Sequence, residues 1–217
     1  DTFLMSTVFN DCYNKSIVDT ADKYMPEGPY GYVDGKFDVT VKPGDVVIDA
    51  GAWIGDFSAY AASKNATVYA FEPVKTTFDW LCKTAILNEP GKIIPVQKGL
   101  GKQEGNIVIS IDEGHSGGNS TVIERGAATE QITITTLDKF VAENQIERID
   151  FIKADIEGAE RDMLRGATNV LKTLSPKLAI CTYHLPDDPQ VLEQIIKEAN
   201  PAYKVVHLRH KLVAAVI

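Results

Sequence analysis

No stretch of these 217 residues stays apolar for the roughly 20 positions that a bilayer-spanning helix needs, and no signal-peptide pattern is present. A soluble, cytoplasmic chain is the expectation. Cysteine is scarce. Cys12, Cys82 and Cys181 are odd in number, far apart and without a C-x-x-C spacing, which excludes a zinc ribbon or a dithiol redox motif and leaves reduced core thiols. His115, His184, His207 and His210 form no H-x-x-x-H pair, so the simplest zinc-hydrolase arrangement is excluded. Basic residues are outnumbered, with 22 Lys and Arg against 30 Asp and Glu and a net charge of −8. Binding to nucleic acid rests on neutralising phosphates, so such a partner is not expected. The chain has neither internal repeats nor low-complexity segments, and its length suits one well-cored domain.

What the chain does have is centred on residues 46–55, Val-Val-Ile-Asp-Ala-Gly-Ala-Trp-Ile-Gly, an apolar run that meets an acid and opens into a glycine-bracketed turn. A short apolar run suits a strand buried on both faces of a parallel sheet. Gly51 and Gly55 mark where backbone can approach a ligand, and a helix over Asp56 to Ser63 would aim its free N–H groups at it. A second strand, Thr67 to Phe71, ends in Glu72-Pro73, where an acid is placed to accept both hydroxyls of a ribose. These features point to a nucleoside cofactor. The turn lacks the second glycine of the G-x-G-x-x-G dinucleotide fingerprint and carries Ala52 and Trp53 across its middle. A pyrophosphate is therefore poorly provided for, and a ligand with an amino acid and a sulfonium fits better.

Residues 1–36 lack sustained periodicity and form a lead-in and candidate lid, ahead of a domain over 37–217. Within the lead-in, Met25 to Tyr32 is rich in Pro, Gly and Tyr and reads as a packed surface loop. Helical spacing over Lys75 to Asn88 predicts an amphipathic helix, followed by a strand from Ile93 to Gln97 that runs into Lys98-Gly-Leu-Gly101. Two β-rich runs, Ile107–Ile111 and Ile132–Thr135, flank a long connection with His115, Ser116, Asn119 and Ser120, an insertion expected to border the substrate. Thr136 is placed to cap a short helix before the strand Ile149–Ala154. Asp155 and Glu157 follow that strand, and Met163, Leu164, Ala167, Val170 and Leu171 share one face of a helix running to Leu174. Glu160 is assigned to the dipole at that helix's start. Leu178–Thr182 ends in Tyr183-His184, Asp188 is placed as the cap of a helix with Pro189 at its first position, and Tyr203–Leu208 with Leu212–Ile217 form a closing antiparallel hairpin. Strands alternating with helices predict an α/β, doubly wound, mostly parallel sheet.

With those residues in place, the chain resembles the FkbM family of S-adenosylmethionine-dependent methyltransferases over roughly residues 37–210. The motifs that carry the resemblance are Val47 to Gly55, Ala70-Phe-Glu-Pro73, Leu100-Gly101, Ile134-Thr-Thr-Leu-Asp138, Phe151 to Glu160 and Tyr183-His184. The Lys153 to Glu160 block after a Thr-Leu-Asp is the most particular of them. Ala52 stands where the family commonly has Asn, and Trp53 is bulkier than the usual occupant. The resemblance implies a seven-stranded Rossmann-like sheet, S-adenosyl-L-methionine as methyl donor with S-adenosyl-L-homocysteine as product, and methylation of a hydroxyl on a small metabolite, glycan or lipid-like acceptor. Cofactor contacts are expected from Asp49, Gly51, Ala52, Gly55, Glu72, Pro73, Gly99, Leu100 and Asp155, with the adenine near Gly99 and Leu100.

Methyl transfer from a sulfonium is an in-line displacement, so positioning is the main contribution and a base that takes the acceptor's proton adds to it. Asp155, Glu157 and His184 are the candidates. His184 is favoured as base because an imidazole titrates near neutrality, with Asp155 orienting cofactor or acceptor. No metal is assigned, although the same three residues are also a ligand set for a divalent cation that would lower the acceptor's pKa. A nicotinamide-dependent reductase and a non-catalytic S-adenosylmethionine-binding scaffold are the rival functions.

Overall fold

Val47 and Ile48 are adjacent and both fully buried, on opposite faces of one sheet. That is the consequence of a two-residue side-chain period in a strand covered on both sides. The computed structural model describes residues 27–88, 91–111 and 128–217. A short antiparallel hairpin, β1 (Tyr32–Asp34) and β2 (Phe37–Val39), spans the junction expected between lead-in and domain. Then follow β3 (Val46–Ala50), α1 (Asp56–Ser63), β4 (Thr67–Phe71), α2 (Lys75–Leu87) and β5 (Ile93–Val96). An insertion comprises β6 (Gly99–Leu100), β7 (Gly105–Ile111) and β8 (Ala128–Thr135). The second half runs α3 (Leu137–Glu143), β9 (Phe151–Ala154), α4 (Glu160–Arg165), α5 (Thr168–Thr173), β10 (Lys177–Cys181), α6 (Asp188–Ala199), β11 (Tyr203–His207) and β12 (Lys211–Val216).

The main sheet has seven strands in the order β11-β12-β10-β9-β3-β4-β5, parallel except where β12 pairs antiparallel with β10 and β11. This is the doubly wound sheet with a terminal hairpin that the sequence predicts. Ile48, Ala50, Ile152, Ala154 and Ile180 face a layer containing Leu137, Met163, Leu164, Leu171, Leu192 and Ile196. Val47, Val68, Ala70, Phe151 and Ala179 face Phe57 and Ala61 of α1, Leu81 of α2, and Phe37 and Val39. In register, Ala50 lies between Phe71 and Ala154, so β3, β4 and β9 end level with one another. The insertion is a separate three-stranded sheet, order β6-β8-β7, whose hairpin strands are longer than the β-rich runs suggest.

Two local readings are corrected. The helix expected from Glu160 to Leu174 is broken into α4 and α5 at Gly166. There the backbone presses on the insertion so closely that a Cβ on Gly166 would lie 2.0 Å from the Gly101 carbonyl oxygen. The restart is capped from a distance, because the Asp138 carboxylate accepts the N–H groups of Asn169 (2.9 Å) and Val170 (2.8 Å). Asp188 is not the cap of the last helix but its first residue, after Asp187. Its fully buried carboxylate pairs with Arg161 Nε at 2.7 Å and accepts the Leu185 N–H at 2.9 Å. Thr136 does cap α3, accepting the Lys139 N–H at 3.1 Å.

Residues 1–26, with Cys12, and the connection 112–127, with His115, Ser116, Asn119 and Ser120, lie outside the described residues. Cys82 and Cys181 are free thiols, and burial pushes both pKa values up, so neither is primed as a nucleophile. Among the described residues no helix is long and apolar enough to cross a membrane.

Candidate functional site

The level ends of β3, β4 and β9 open into a cleft enclosing about 670 Å³, part of it continuous with solvent. One wall is the turn after β3. Gly51 adopts a left-handed backbone (φ 74°), and a Cβ there would stand 2.1 Å from the Asp155 carbonyl oxygen. Only glycine lets the β3 and β9 turns close on each other in this way. The N–H groups of Gly51 and Ala52 donate to the Phe71 carbonyl at 3.1 and 2.9 Å, so the turn is fastened to β4.

Glu72 leaves β4 into the cleft and is 7% exposed. One carboxylate oxygen accepts the Trp53 N–H (3.2 Å) and the other the Val74 N–H (2.9 Å). These bonds fix the carboxylate's orientation and leave each oxygen a further lone pair. Burial outweighs them and pushes its pKa up to about 8. Beside it, Val74, Ile109, Ile132 and Ile134 form an apolar cluster that, with Leu100, makes a dry wall. Pro73, Gly99 and Asp155 also line the cleft.

Asp49, Ala52 and Gly55 do not line it. Asp49 shares the strand face of Val47 and is fully buried, accepting the Ser58 hydroxyl at 2.6 Å and pairing with Lys153 Nζ at 3.0 Å. Gly55 packs on α2, where a Cβ would be 2.8 Å from Leu81 and Thr84. No residue of the first turn of α1 is among those lining the cleft. Lys153 ties the structure behind the cleft together, donating also to the Gly51 carbonyl at 2.6 Å. Burial pulls its pKa down, but Asp49, Asp155 and Asp56 outweigh burial and the ammonium stays charged.

The three expected acid–base residues meet where Asp155 and Glu157 line the cleft, although His184 is not itself a lining residue. His184 Nε2 lies 3.5 Å from Asp155 Oδ1 and 3.6 Å from Glu157 Oε1. Asp155 accepts the hydroxyls of Tyr30 (3.1 Å) and Tyr183 (2.9 Å), one on each oxygen. The Pro-, Gly- and Tyr-rich loop thus reaches the site through Tyr30, whose ring also packs edge-on against Phe57. Glu160 is fully buried, accepts the N–H groups of Ile156 (2.8 Å) and Gly158 (3.1 Å), and sits 3.0 Å from His184 Nδ1. Burial pushes the His184 pKa down, but Glu157 and Glu160 outweigh it and lift it to about 10. Under those charges the imidazole carries a proton at neutral pH. Trp53 (φ 50°) and Glu157 (φ 54°), both on the cleft wall, hold left-handed backbone conformations that cost bulky residues free energy and cluster at working sites.

Sequence reasoning missed Lys153, Tyr30, Tyr183 and Glu160 as site residues, and the isoleucine wall. Glu160 and Lys153 stand in the same motif as Asp155, but which way each points depends on strand parity and a tight turn.

A family model described as the methyltransferase FkbM domain matches residues 49–203, a span that holds Glu72, Asp155, Glu157 and His184. The chain is 30% identical over 164 residues to the hexuronic acid methyltransferase AglP of Haloferax volcanii, covering 76% of this chain and 66% of that protein. It is 28% identical over 159 residues to Methyltransferase 1 of Beauveria bassiana, covering 62% of this chain and 64% of the other. The chain thus spans a little under two thirds of these relatives. Among solved structures, methyltransferase FkbM from Methylobacillus flagellatus superposes with a TM-score of 0.61 at 22% identity, over 79% of this chain and 43% of that one. The fibrillarin of Aeropyrum pernix, solved with natively bound S-adenosyl-L-methionine, gives a TM-score of 0.50 at 12% identity, over 95% of this chain and 76% of that one.

Proposed function

From the premise that this chain belongs to the FkbM methyltransferase family, we propose that it transfers a methyl group from S-adenosylmethionine to a hydroxyl of a small metabolite, glycan or lipid-like acceptor. The observation that carries the reading is Glu72, a buried carboxylate held by two backbone N–H groups at the end of β4, with lone pairs left for the hydroxyls of a ribose. The residues fit this cofactor better than a dinucleotide. The Gly51 and Ala52 N–H groups are already spent on Phe71, and the described cleft wall offers an apolar slot in place of a phosphate cradle. The hexuronic acid named for AglP favours a carbohydrate among the acceptors.

Bound here, S-adenosylmethionine supplies an electrophilic methyl carbon on a sulfonium. Glu72 accepts the sugar hydroxyls and sets the cofactor's register. Leu100, Ile109, Ile132 and Ile134 exclude water from the base. Asp155, steadied by Tyr30 and Tyr183, lines the cleft and orients the acceptor's hydroxyl as it gives up its proton. His184, already protonated beside Glu157 and Glu160, does not take the base role favoured from sequence in this charge state.

Calorimetric titration of the full chain with S-adenosylhomocysteine and NAD tests the cofactor, with saturable binding expected for the first alone. Methyl transfer from labelled S-adenosylmethionine to a panel of neutral sugars and uronic acids tests the reaction. NAD binding without S-adenosylhomocysteine binding would overturn the assignment.

A further inference from the structure

His184 is buried beside two residues of the cleft wall, Asp155 and Glu157. Its side chain is 1% exposed, and neither ring nitrogen makes an aligned hydrogen bond. A buried polar group without such a bond is costly, and what faces this ring is three carboxylates, Asp155 and Glu157 at Nε2 and Glu160 at Nδ1. Nε2 lies 3.5 Å from Asp155 Oδ1 and 3.6 Å from Glu157 Oε1, and one donor atom from each of the three residues lies within 4.8 Å of the others.

We propose that Asp155, Glu157 and His184 bind a single divalent cation of the Mn²⁺ class at the cleft wall. Two carboxylate oxygens and one imidazole suit a six-coordinate ion of intermediate hardness better than a tetrahedral thiolate-loving one. Ligands about 2.1 Å from a common ion stand roughly 3 Å apart when adjacent; His184 Nε2 is 3.5 and 3.6 Å from the two carboxylate oxygens, and all three donors lie within 4.8 Å, so binding draws them inward. Because Asp155 and Glu157 line the cleft, a three-residue set leaves coordination positions open toward it for water and for an acceptor oxygen.

The surroundings carry the supporting geometry. A metal-bound histidine usually sets its other ring nitrogen against a carboxylate, which fixes the ring's orientation. Glu160 Oε1 lies 3.0 Å from Nδ1, and Glu160 is itself pinned by two backbone N–H groups. Asp155 is steadied in turn by the two tyrosine hydroxyls. A cation on Nε2 takes the place of the ring proton there. The ligand set stands without reference to catalysis; only the cation's task, holding an acceptor oxygen, rests on the transferase reading.

The test uses the full chain, stripped with chelator and titrated with Mn²⁺ alone, with bound metal followed by electron paramagnetic resonance. One Mn²⁺ per chain is expected, with a nitrogen coupling from the imidazole. His184→Ala should remove that coupling and weaken binding at least tenfold, and Asp155→Asn should weaken it comparably. Glu160→Gln should weaken binding about 10- to 100-fold while the coupling remains. Thermal unfolding of each variant reports whether it folds, and the nitrogen coupling in the unmutated chain does not depend on any variant. Absence of stoichiometric Mn²⁺ binding at millimolar concentration overturns the proposal, as does binding with no nitrogen coupling that survives His184→Ala. S-adenosylhomocysteine titration of the stripped chain separates the two readings. Cofactor binding without Mn²⁺ binding sinks the cation site alone, and Mn²⁺ binding without cofactor binding sinks the transferase reading alone.

Discussion

Replacing Glu72 with glutamine separates the stability of the fold from the affinity of the cleft. Burial lifts the Glu72 pKa from its ordinary 4.5 to about 8. Between those values the folded chain binds more protons at this group than the unfolded chain does. Native stability therefore falls as pH rises through that window, and the whole penalty is present above it. By the standard conversion the span is at most on the order of 4–5 kcal/mol, an upper bound because the surroundings relax around the charge. Glu72→Gln removes the titration, but its amide nitrogen faces one of the N–H groups of Trp53 and Val74, at a cost of about 1–3 kcal/mol. The variant should thus be less stable than the parent at pH 5 and more stable, by roughly 2 kcal/mol, at pH 9. Denaturant unfolding at pH 5, 7 and 9 measures both curves. In the parent, affinity for S-adenosylhomocysteine should rise about tenfold from pH 7 to 9 as the carboxylate ionises, whereas the variant should bind weakly with no such slope. Parallel stability curves for parent and variant would refute the reasoning, since they would mean that Glu72 does not titrate in this window.

Gly51→Val puts a side chain into the Asp155 carbonyl at a backbone φ of 74° and should abolish S-adenosylhomocysteine binding, read by calorimetry; normal affinity would remove the turn from the cofactor site. Lys153→Met leaves the buried Asp49 carboxylate without its cation and should cost about 3–5 kcal/mol in denaturant unfolding. Asp138→Ala uncaps α5 at a residue that does not line the cleft and should cost about 1–2 kcal/mol with cofactor affinity unchanged; a large loss of affinity would show that the cap also shapes the site.

The fold was legible because its signals are local and periodic. Val46 to Ala50, Thr67 to Phe71 and Phe151 to Ala154 are short apolar runs that stop at polar residues, and the helices between them carry stripes of one face. The cofactor end was legible in part, since Gly51 and Glu72 stand at strand ends where doubly wound sheets bind ligands. Asp49 shows where legibility stops. It is two residues from the cleft glycine, yet strand parity sends its carboxylate to Ser58 and Lys153. Glu160 shows the reverse, because an acid at a helix start has an ordinary reason to be there, and only the left-handed turn at Glu157 and Gly158 brings it under His184. The isoleucine wall could not be foreseen, because its strands come from an insertion whose docking is a tertiary fact.

The order of strands also works as a ruler. Glu72 follows β4 and His184 follows β10, and β3 and β9 stand between them, three inter-strand steps of about 4.8 Å, or about 14 Å in all. Backbone hydrogen bonding sets that length, and no exchange of loop residues can stretch or shorten it. Acceptors of many shapes can therefore be accommodated by changing what surrounds the mouth, provided each delivers its oxygen to the same graduation.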